Sequence, residues 1–206
     1  PGPEDLARPA LDRIAVLADN RGIGERALAE FARRHAPSAA RMLMPDADDI
    51  LDALGQRIDV GLLPVETSTR ATMHDPYDVE RVACSGRRYF DEVVVPGEAE
   101  GMVRYVAIAE RDQAAAPGCK TSVLVELAKD QPGALYRMLA PFAIRKINLT
   151  RIASFPSRRM LGEYFFQLDF LGSRLESAVL GALTDAERLG RVWILGSYPV
   201  DTGERV

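Results

Sequence analysis

The order of apolar patterns after residue 120 constrains the fold of this chain most strongly. Residues 120–128 (KTSVLVELA) alternate apolar and polar side chains, as a half-buried strand does. The segments that follow are typical of a helix, two strands, a second helix and a last strand: 132–146, 148–156, 161–172, 174–190 and 191–199. This βαββαβ order predicts a ferredoxin-like unit, an antiparallel sheet with both helices on one face.

Two prolines give further detail about the first helix of that unit. Pro132 suits the first helical position, where a missing backbone N–H does no harm. Pro141 lies inside the helical pattern, so we expect it to kink or shorten the helix.

The first half of the chain alternates strand and helix patterns. They cover, in order, residues 13–19, 24–36, 40–45, 46–57 and 58–66. This order predicts a parallel α/β unit whose strands end at one edge, where such folds bind ligands. The loops 19–24 and 64–70 would lie at that edge. Two further strands are predicted, at 89–96 and 102–111.

The expected fold class is therefore α/β plus α+β. A reduced parallel-type lobe, comparable to half of a periplasmic binding protein, occupies residues 1–112. The Ala- and Pro-rich stretch 113–119 is the expected linker, and residues 120–206 form the ferredoxin-like domain. The balance of charge supports this division, because the second part is net basic and the first part is net acidic.

Composition excludes several classes of protein. The net charge of −4 and the pI of about 5.3 argue against a nucleic-acid partner. No apolar run is long enough to span a membrane, and the N-terminal stretch is not a signal peptide, so we expect a cytoplasmic protein. Cys84 and Cys119 have no CxxC partner, which favours reduced thiols without a metal site. No cofactor is expected.

The βαββαβ unit resembles an ACT domain, the small-molecule-sensing module of amino-acid metabolism, and more narrowly that of prephenate dehydratase. The resemblance is carried by the segments Gly133-Ala134-Leu135, INLTRIASFP (147–156) and GEYFFQLDF (162–170). It implies that an amino acid is bound by Gly133, Ala134, Leu135, Asn148 and Leu149. Ala153 and Phe155 stand where the family has a glutamate and an arginine.

Two of these ligand residues have a physical rationale of their own. A glycine at a helix start lets a ligand carboxylate approach backbone N–H groups, so Gly133 is a candidate. Asn148, at the tight entry to a strand, can bond a ligand amino group. The alternative for both residues is turn geometry alone, with no ligand contact.

The first half resembles the catalytic domain of the same family. In DVGLLPVETS (59–68), Glu66 and Ser68 match the family's strand and loop, while Thr67 replaces an asparagine. Val103-Arg104-Tyr105 stands where the family has Thr-Arg-Phe, so valine replaces the catalytic threonine. Only about 35 residues separate these motifs, too few for the family's second lobe.

The resemblance implies a carbon–oxygen lyase that decarboxylates and dehydrates prephenate or a related cyclic carboxylic acid. Arg104 would clamp a substrate carboxylate and Glu66 would donate a proton. The side chains expected to orient the substrate are Thr67, Ser68, His74 and Tyr105. Each residue also has an explanation that involves no substrate site: a surface cation for Arg104, a solvated loop acid for Glu66 and a loop residue for His74.

A second hypothesis is a non-catalytic protein that binds an aromatic amino acid through the ACT domain and regulates or scaffolds a partner enzyme. A third is that the shortened lobe has acquired different chemistry. In each case we expect a homodimer, or a dimer of dimers, formed through the ACT domains.

Overall fold

A computed structural model describes residues 11–19, 21–68, 76–98, 101–110, 118–127, 131–157 and 163–202. In the first half the elements are β1 Arg13–Leu17, α1 Ile23–His35, β2 Ala40–Met44, α2 Ala47–Ala53, β3 Val60–Thr67, α3 Pro76–Ser85, β4 Arg88–Pro96 and β5 Met102–Ala109. In the second half they are β6 Cys119–Leu127, α4 Ala134–Ile144, β7 Leu149–Pro156, β8 Tyr164–Leu171, α5 Ser177–Glu187 and β9 Gly190–Pro199.

The first sheet has the strand order β2-β1-β3-β5-β4. Strands β1, β2 and β3 are parallel, which confirms the predicted α/β unit. Strand β1 is buried on both faces at Ile14, Ala15 and Val16, as expected for a strand inside a parallel sheet. The hairpin β4–β5 adds antiparallel strands beyond β3. Helix α3 was not predicted, although its Val79 and Val82 are buried.

The second sheet is antiparallel, with the strand order β7-β8-β6-β9. This is the ferredoxin-like arrangement expected from the sequence. Helices α4 and α5 lie on one face, where Phe142 and Leu183 share a core with Val123 and Phe170. The fold class is therefore confirmed. The domain limits stay predictions, with one adjustment: β6 begins at Cys119, inside the expected linker.

The start of α4 differs from the expectation. The helix begins at Ala134, and Gly133 is its N-cap residue in the left-handed conformation, with φ 77°. Pro132 therefore lies before the helix rather than at its first position. Pro141 is inside α4, and the helix ends three residues later at Ile144, short of the predicted end.

The helix-free face of the second sheet packs against the first half of the chain. Leu124, Phe165 and Leu195 belong to the same buried core as Leu63 and Val106 of the first sheet. The two sheets thus share an apolar core, and the ACT-like sheet is covered on both faces. Among the described helices, none is both long and apolar enough to cross a membrane.

Strand β4 crosses β9 at a glycine. A Cβ atom added to Gly196 would lie 2.0 Å from the carbonyl oxygen of Tyr89, far inside van der Waals contact. The ladder between β6 and β9 shifts register beside this position. Only glycine therefore allows the two backbones to approach so closely.

Replacing Gly196 with alanine is expected to destabilise the fold by about 3 kcal/mol or more, because the two backbones must separate. Chemical denaturation measures this loss. Gly86→Ala is the control: Gly86 has a positive φ of 77°, and nothing lies within 4 Å of the added methyl group. We expect that variant to lose only ~1 kcal/mol of backbone strain. Equal losses in both variants would contradict the close crossing.

Candidate functional site

The structure brings the two predicted catalytic residues together. Glu66 on β3 is the register partner of Arg104 on β5. The Nε atom of Arg104 donates a hydrogen bond of 2.9 Å to Oε2 of Glu66. Two motifs that are far apart in the sequence therefore meet because β3 and β5 are neighbours in the sheet.

Arg104 is, however, buried between the two sheets, with 7% of its surface exposed. Its Nη1 atom donates to Oε2 of Glu92 on β4, at 3.1 Å. Its Nη2 atom donates to Oδ2 of Asp169 on β8, at 2.7 Å. Each of the three guanidinium nitrogens thus has a carboxylate partner, and one of those carboxylates belongs to the ACT-like sheet.

The surroundings of Arg104 form a set of charged residues that we call the interface cluster. It consists of Glu66, Glu92, Arg104, Lys120, Arg151 and Asp169. The Nζ atom of Lys120 donates to both carboxylate oxygens of Glu92, at 3.0 and 3.1 Å. The three positive and three negative charges balance, which is what burial of ions between two sheets demands.

Hydroxyl and amide groups complete the bonding of Asp169. Its Oδ1 atom accepts from the hydroxyl of Ser122 at 2.7 Å and from Nε2 of Gln167 at 3.1 Å. The hydroxyl groups of Ser122 and Tyr198 lie 2.6 Å apart. Asp169 therefore has a partner for each oxygen, as a buried carboxylate requires.

The electrostatics keep the central pair ionised. Burial raises the pKa of Asp169, but the positive charges of Arg104 and Arg151 outweigh this effect and hold its pKa below the usual value. Burial likewise lowers the pKa of Arg104, and the negative charge of Asp169 more than reverses that, so its pKa is raised. Burial raises the pKa of the Tyr198 phenol well above its ordinary value.

Arg104 is therefore poorly placed to clamp a substrate. A carboxylate ligand would have to displace a carboxylate that is already bound, inside a region closed to solvent. Glu66 is the accessible member of the cluster, since 46% of its side chain is exposed.

The alternation of strand β5 separates the other motif residues from Arg104. Val103 and Tyr105 lie on the opposite face of the sheet, in the core beneath α1, and are 2% and 1% exposed. Burial is the largest cause that raises the pKa of the Tyr105 phenol. Tyr105 is thus a core residue rather than a neighbour of the Arg104–Glu66 pair.

The remaining predicted substrate residues lie at the end of β3. Thr67 is the register partner of Val103. The amide of Ser68 donates to the carbonyl oxygen of Met102, and the Ser68 hydroxyl accepts from the amide of Met102 at 2.8 Å. These two bonds continue the pairing of β3 with β5. His74 lies outside the described residues.

In the predicted ligand loop after β1, a side chain of the loop caps the start of helix α1. The Asp19 carboxylate accepts hydrogen bonds from the backbone N–H groups of Arg21, Ile23 and Gly24, at the start of α1. Burial raises the pKa of Asp19, but these N–H groups bring it below the usual value. The positive end of α1 is therefore occupied by a side chain of the protein itself.

The predicted ACT ligand residues gather near the start of α4 and of β7. Gly133 adopts a left-handed conformation, so turn geometry alone accounts for the glycine. Asn148 is exposed, and its carbonyl oxygen accepts from the amide of Leu171. The left-handed residue of that turn is Lys146, with φ 57°, so the turn explanation does not apply to Asn148. Ala134, Leu135 and Leu149 are half-buried.

Sequence reasoning missed four members of the interface cluster. They are Glu92, Lys120, Arg151 and Asp169. One signal was available: Gln167 and Asp169 are two positions apart in the otherwise apolar strand YFFQLDFL, and so lie on one face of it. Such a pair in a central strand indicates a buried polar layer. In the part of the chain that the structure describes, no group of His, Cys, Asp and Glu side chains could hold a metal ion.

Comparison with known proteins agrees with this architecture. Residues 121–188 match the ACT domain family. The prephenate dehydratase of Methanocaldococcus jannaschii is 45% identical over 82 residues, which are 39% of this chain and 29% of that protein. That of Lactococcus lactis is 28% identical over 175 residues, 82% of this chain and 58% of that protein. This chain is a relative of the prephenate dehydratases with a C-terminal ACT domain.

Solved structures extend the likeness over most of the chain. The prephenate dehydratase of Streptococcus mutans is 25% identical with a TM-score of 0.76, covering 90% of this chain and 97% of that one. A quorum quenching acylase, GqqA, shares the fold at 23% identity and a TM-score of 0.78, covering 94% and 98%. This chain spans less than a third of the first three curated dehydratases that it matches. Between β3 and β5, the described residues form only α3 and β4.

Removing the charge of Asp169 is expected to lower the free energy of unfolding. Asp169→Asn leaves Arg104 buried without one of its carboxylate partners, so we expect a loss of about 3–5 kcal/mol of unfolding free energy. Urea denaturation measures it. The control is Asp52→Asn, which breaks an exposed ion pair with Arg81 and should cost less than about 1 kcal/mol. Similar losses in both variants would show that the interface cluster does not hold the sheets together.

The same variant should change how stability depends on pH. Because the pKa of Asp169 is lowered by folding, its contribution is present above the unfolded value of about 4 and is lost as the pH falls below it. The difference in stability between the native protein and Asp169→Asn should therefore shrink from pH 7 to pH 3. A difference that stays constant across this range would contradict an ionised Asp169.

Proposed function

We propose that this protein binds an aromatic amino acid through its ACT domain and regulates or scaffolds a partner enzyme. On this proposal the Arg104–Glu66 pair is part of the domain interface and not a dehydratase site. The observation that carries the proposal is the bonding of Arg104, whose three nitrogens are all held by carboxylates of the chain.

The chemistry of the alternative function, prephenate dehydration, explains why the bonding of Arg104 matters. Expulsion of carboxylate and hydroxide from a cyclohexadienol requires a cation that is free to bind the substrate and a group that protonates the leaving hydroxyl. Arg104 has no unbonded nitrogen for the first role. Val103 has no proton for the second, and it lies on the other face of the sheet.

The case for ligand binding rests on the ACT domain. Asn148 is exposed beside the start of edge strand β7, close to the turn that precedes it. A prephenate dehydratase from Arthrobacter aurescens, which has the same fold at 20% identity and a TM-score of 0.77, was solved in complex with L-Phe. L-Phe is therefore the first ligand to test, with L-Tyr and L-Trp beside it, because Ala153 and Phe155 depart from the family pattern.

A homodimer through the ACT domains is part of the proposal. Strand β7 has only one neighbour in its sheet, which leaves its other edge open for pairing. Large apolar side chains are exposed on this strand and on helix α4: Ile152 at 49%, and Tyr136 at 76% and Ile144 at 78%. Burial of these side chains by a second copy would explain why they are apolar.

A lyase remains the second candidate, because one feature favours it. Glu66 lies in the motif position of the family, and nearly half of its side chain is exposed at the end of β3, so it can reach a substrate. On this reading Glu66 alone would provide acid–base chemistry.

Two assays on the purified protein separate these functions. We expect no phenylpyruvate from prephenate, and a stabilisation of ~2.7 kcal/mol by L-Phe, L-Tyr or L-Trp at 100 times its Kd. Asn148→Ala should weaken that binding at least about tenfold, whereas Ser154→Ala, at another exposed position near the same edge, should not. Prephenate turnover that disappears in Glu66→Gln would instead establish the lyase.

A further inference from the structure

Strands β7 and β3 meet at two irregularities in their sheets. The ladder between β3 and β5 shifts register between Pro64 and Glu66, so Val65 lies at a bulge. The ladder between β7 and β8 shifts register between Leu149 and Arg151. The Nη2 atom of Arg151 donates to the carbonyl oxygen of Val65 at 3.1 Å and so joins one irregularity to the other. Bulges re-aim side chains and are common beside functional sites.

Arg151 is the incompletely bonded member of the interface cluster. Its side chain is only 13% exposed, yet its Nη1 atom is buried without a hydrogen-bond partner. Its Nε atom lies 4.0 Å from Oε2 of Glu66, beyond hydrogen-bonding distance, while Arg104 donates to that same oxygen at 2.9 Å. An unmet buried donor is costly, so a small movement of β7 that gives Arg151 a second bond would be favoured.

The neighbouring strand shows the same incomplete bonding. The Oε1 atom of Gln167 on β8 is buried without a partner, although Nε2 of the same amide donates to Asp169. Each guanidinium nitrogen of Arg104 and each carboxylate oxygen of Asp169 has a partner. Among the described residues, the two buried side-chain atoms without a partner therefore lie on β7 and on its neighbour β8.

We propose that Arg151 is a positioning residue that transmits occupancy of the ACT ligand site to the β3 bulge and to Glu66. This proposal rests on the proposed binding of an aromatic amino acid. The expected ligand residues Asn148 and Leu149 precede Arg151 by only two or three positions, at the start of the same edge strand. A shift of β7 caused by the ligand moves the Arg151 guanidinium relative to Val65 and Glu66, the end of β3.

Amide hydrogen exchange measured with and without L-Phe tests this role of Arg151. In the native protein, L-Phe should slow amide exchange in the segment 60–68 by at least about threefold. Arg151→Met should abolish that change while the Kd for L-Phe stays within about threefold. The control is Arg188→Met, which removes an equal charge from an exposed residue of the same domain and should behave as the native protein does.

The outcomes distinguish the two proposals. If L-Phe binds but exchange in 60–68 does not change, or changes equally in Arg151→Met, the transmitting role of Arg151 is wrong and the proposed function stands. If neither L-Phe, L-Tyr nor L-Trp binds the native protein, both proposals are wrong. Should Arg151→Met fail to fold, Arg151→Lys replaces it: lysine keeps the charge but lacks the planar fork, and the ligand-dependent change in 60–68 should again be lost.

Discussion

A buried arginine between two sheets is the interaction on which the rest of this structure depends. Arg104 brings a permanent positive charge into a region closed to solvent, and the cost of removing it from water must be offset on every side. Carboxylates from β3, β4 and β8 meet that requirement, and Lys120 in turn balances Glu92. The charges of one sheet thus require the charges of the other, which fixes their relative placement.

The ACT domain is in contact with the rest of the chain across one whole face of its sheet. One face of its sheet is covered by its own helices, and the other by the core that it shares with the first sheet. Strand β7 remains at an open edge, and it is also the strand whose arginine touches the β3 bulge. At the proposed site near Asn148, a ligand would therefore act on a strand that is open on one side and connected to the first sheet on the other.

The sequence predicted those features that depend on local periodicity. The βαββαβ order, the parallel strands β1 to β3 and the later hairpin all follow from apolar patterns and turn residues. Helix α3 was missed although Val79, Val82 and Ala83 recur at helical spacing, because the polar, proline-containing stretch at its start is typical of a loop. Glu66 and Arg104 were each identified from family motifs, and the structure places them in contact, which the motifs did not predict.

The role of Arg104 could not be predicted from local sequence patterns, because it depends on which strand of the second sheet packs over β5. Nothing local in FFQLDFL says that Asp169 faces a partner on another sheet, and nothing in YFDEVVVP marks Glu92, in the middle of β4, as a partner of a buried arginine. The alternation that separates Tyr105 from Arg104 was available from the strand pattern. It shows that three adjacent motif residues cannot all line one cleft.

A double-mutant cycle between Arg104 and Asp169 tests the central claim most directly. Arg104→Met and Asp169→Leu, alone and combined, would be compared by the free energy of unfolding in urea. If these residues are bonded across a buried interface, the double variant should be more stable than the sum of the single losses predicts, with a coupling of at least about 1.5 kcal/mol. Strictly additive losses would mean that the two sheets are not held by this pair and that Arg104 is free for another role.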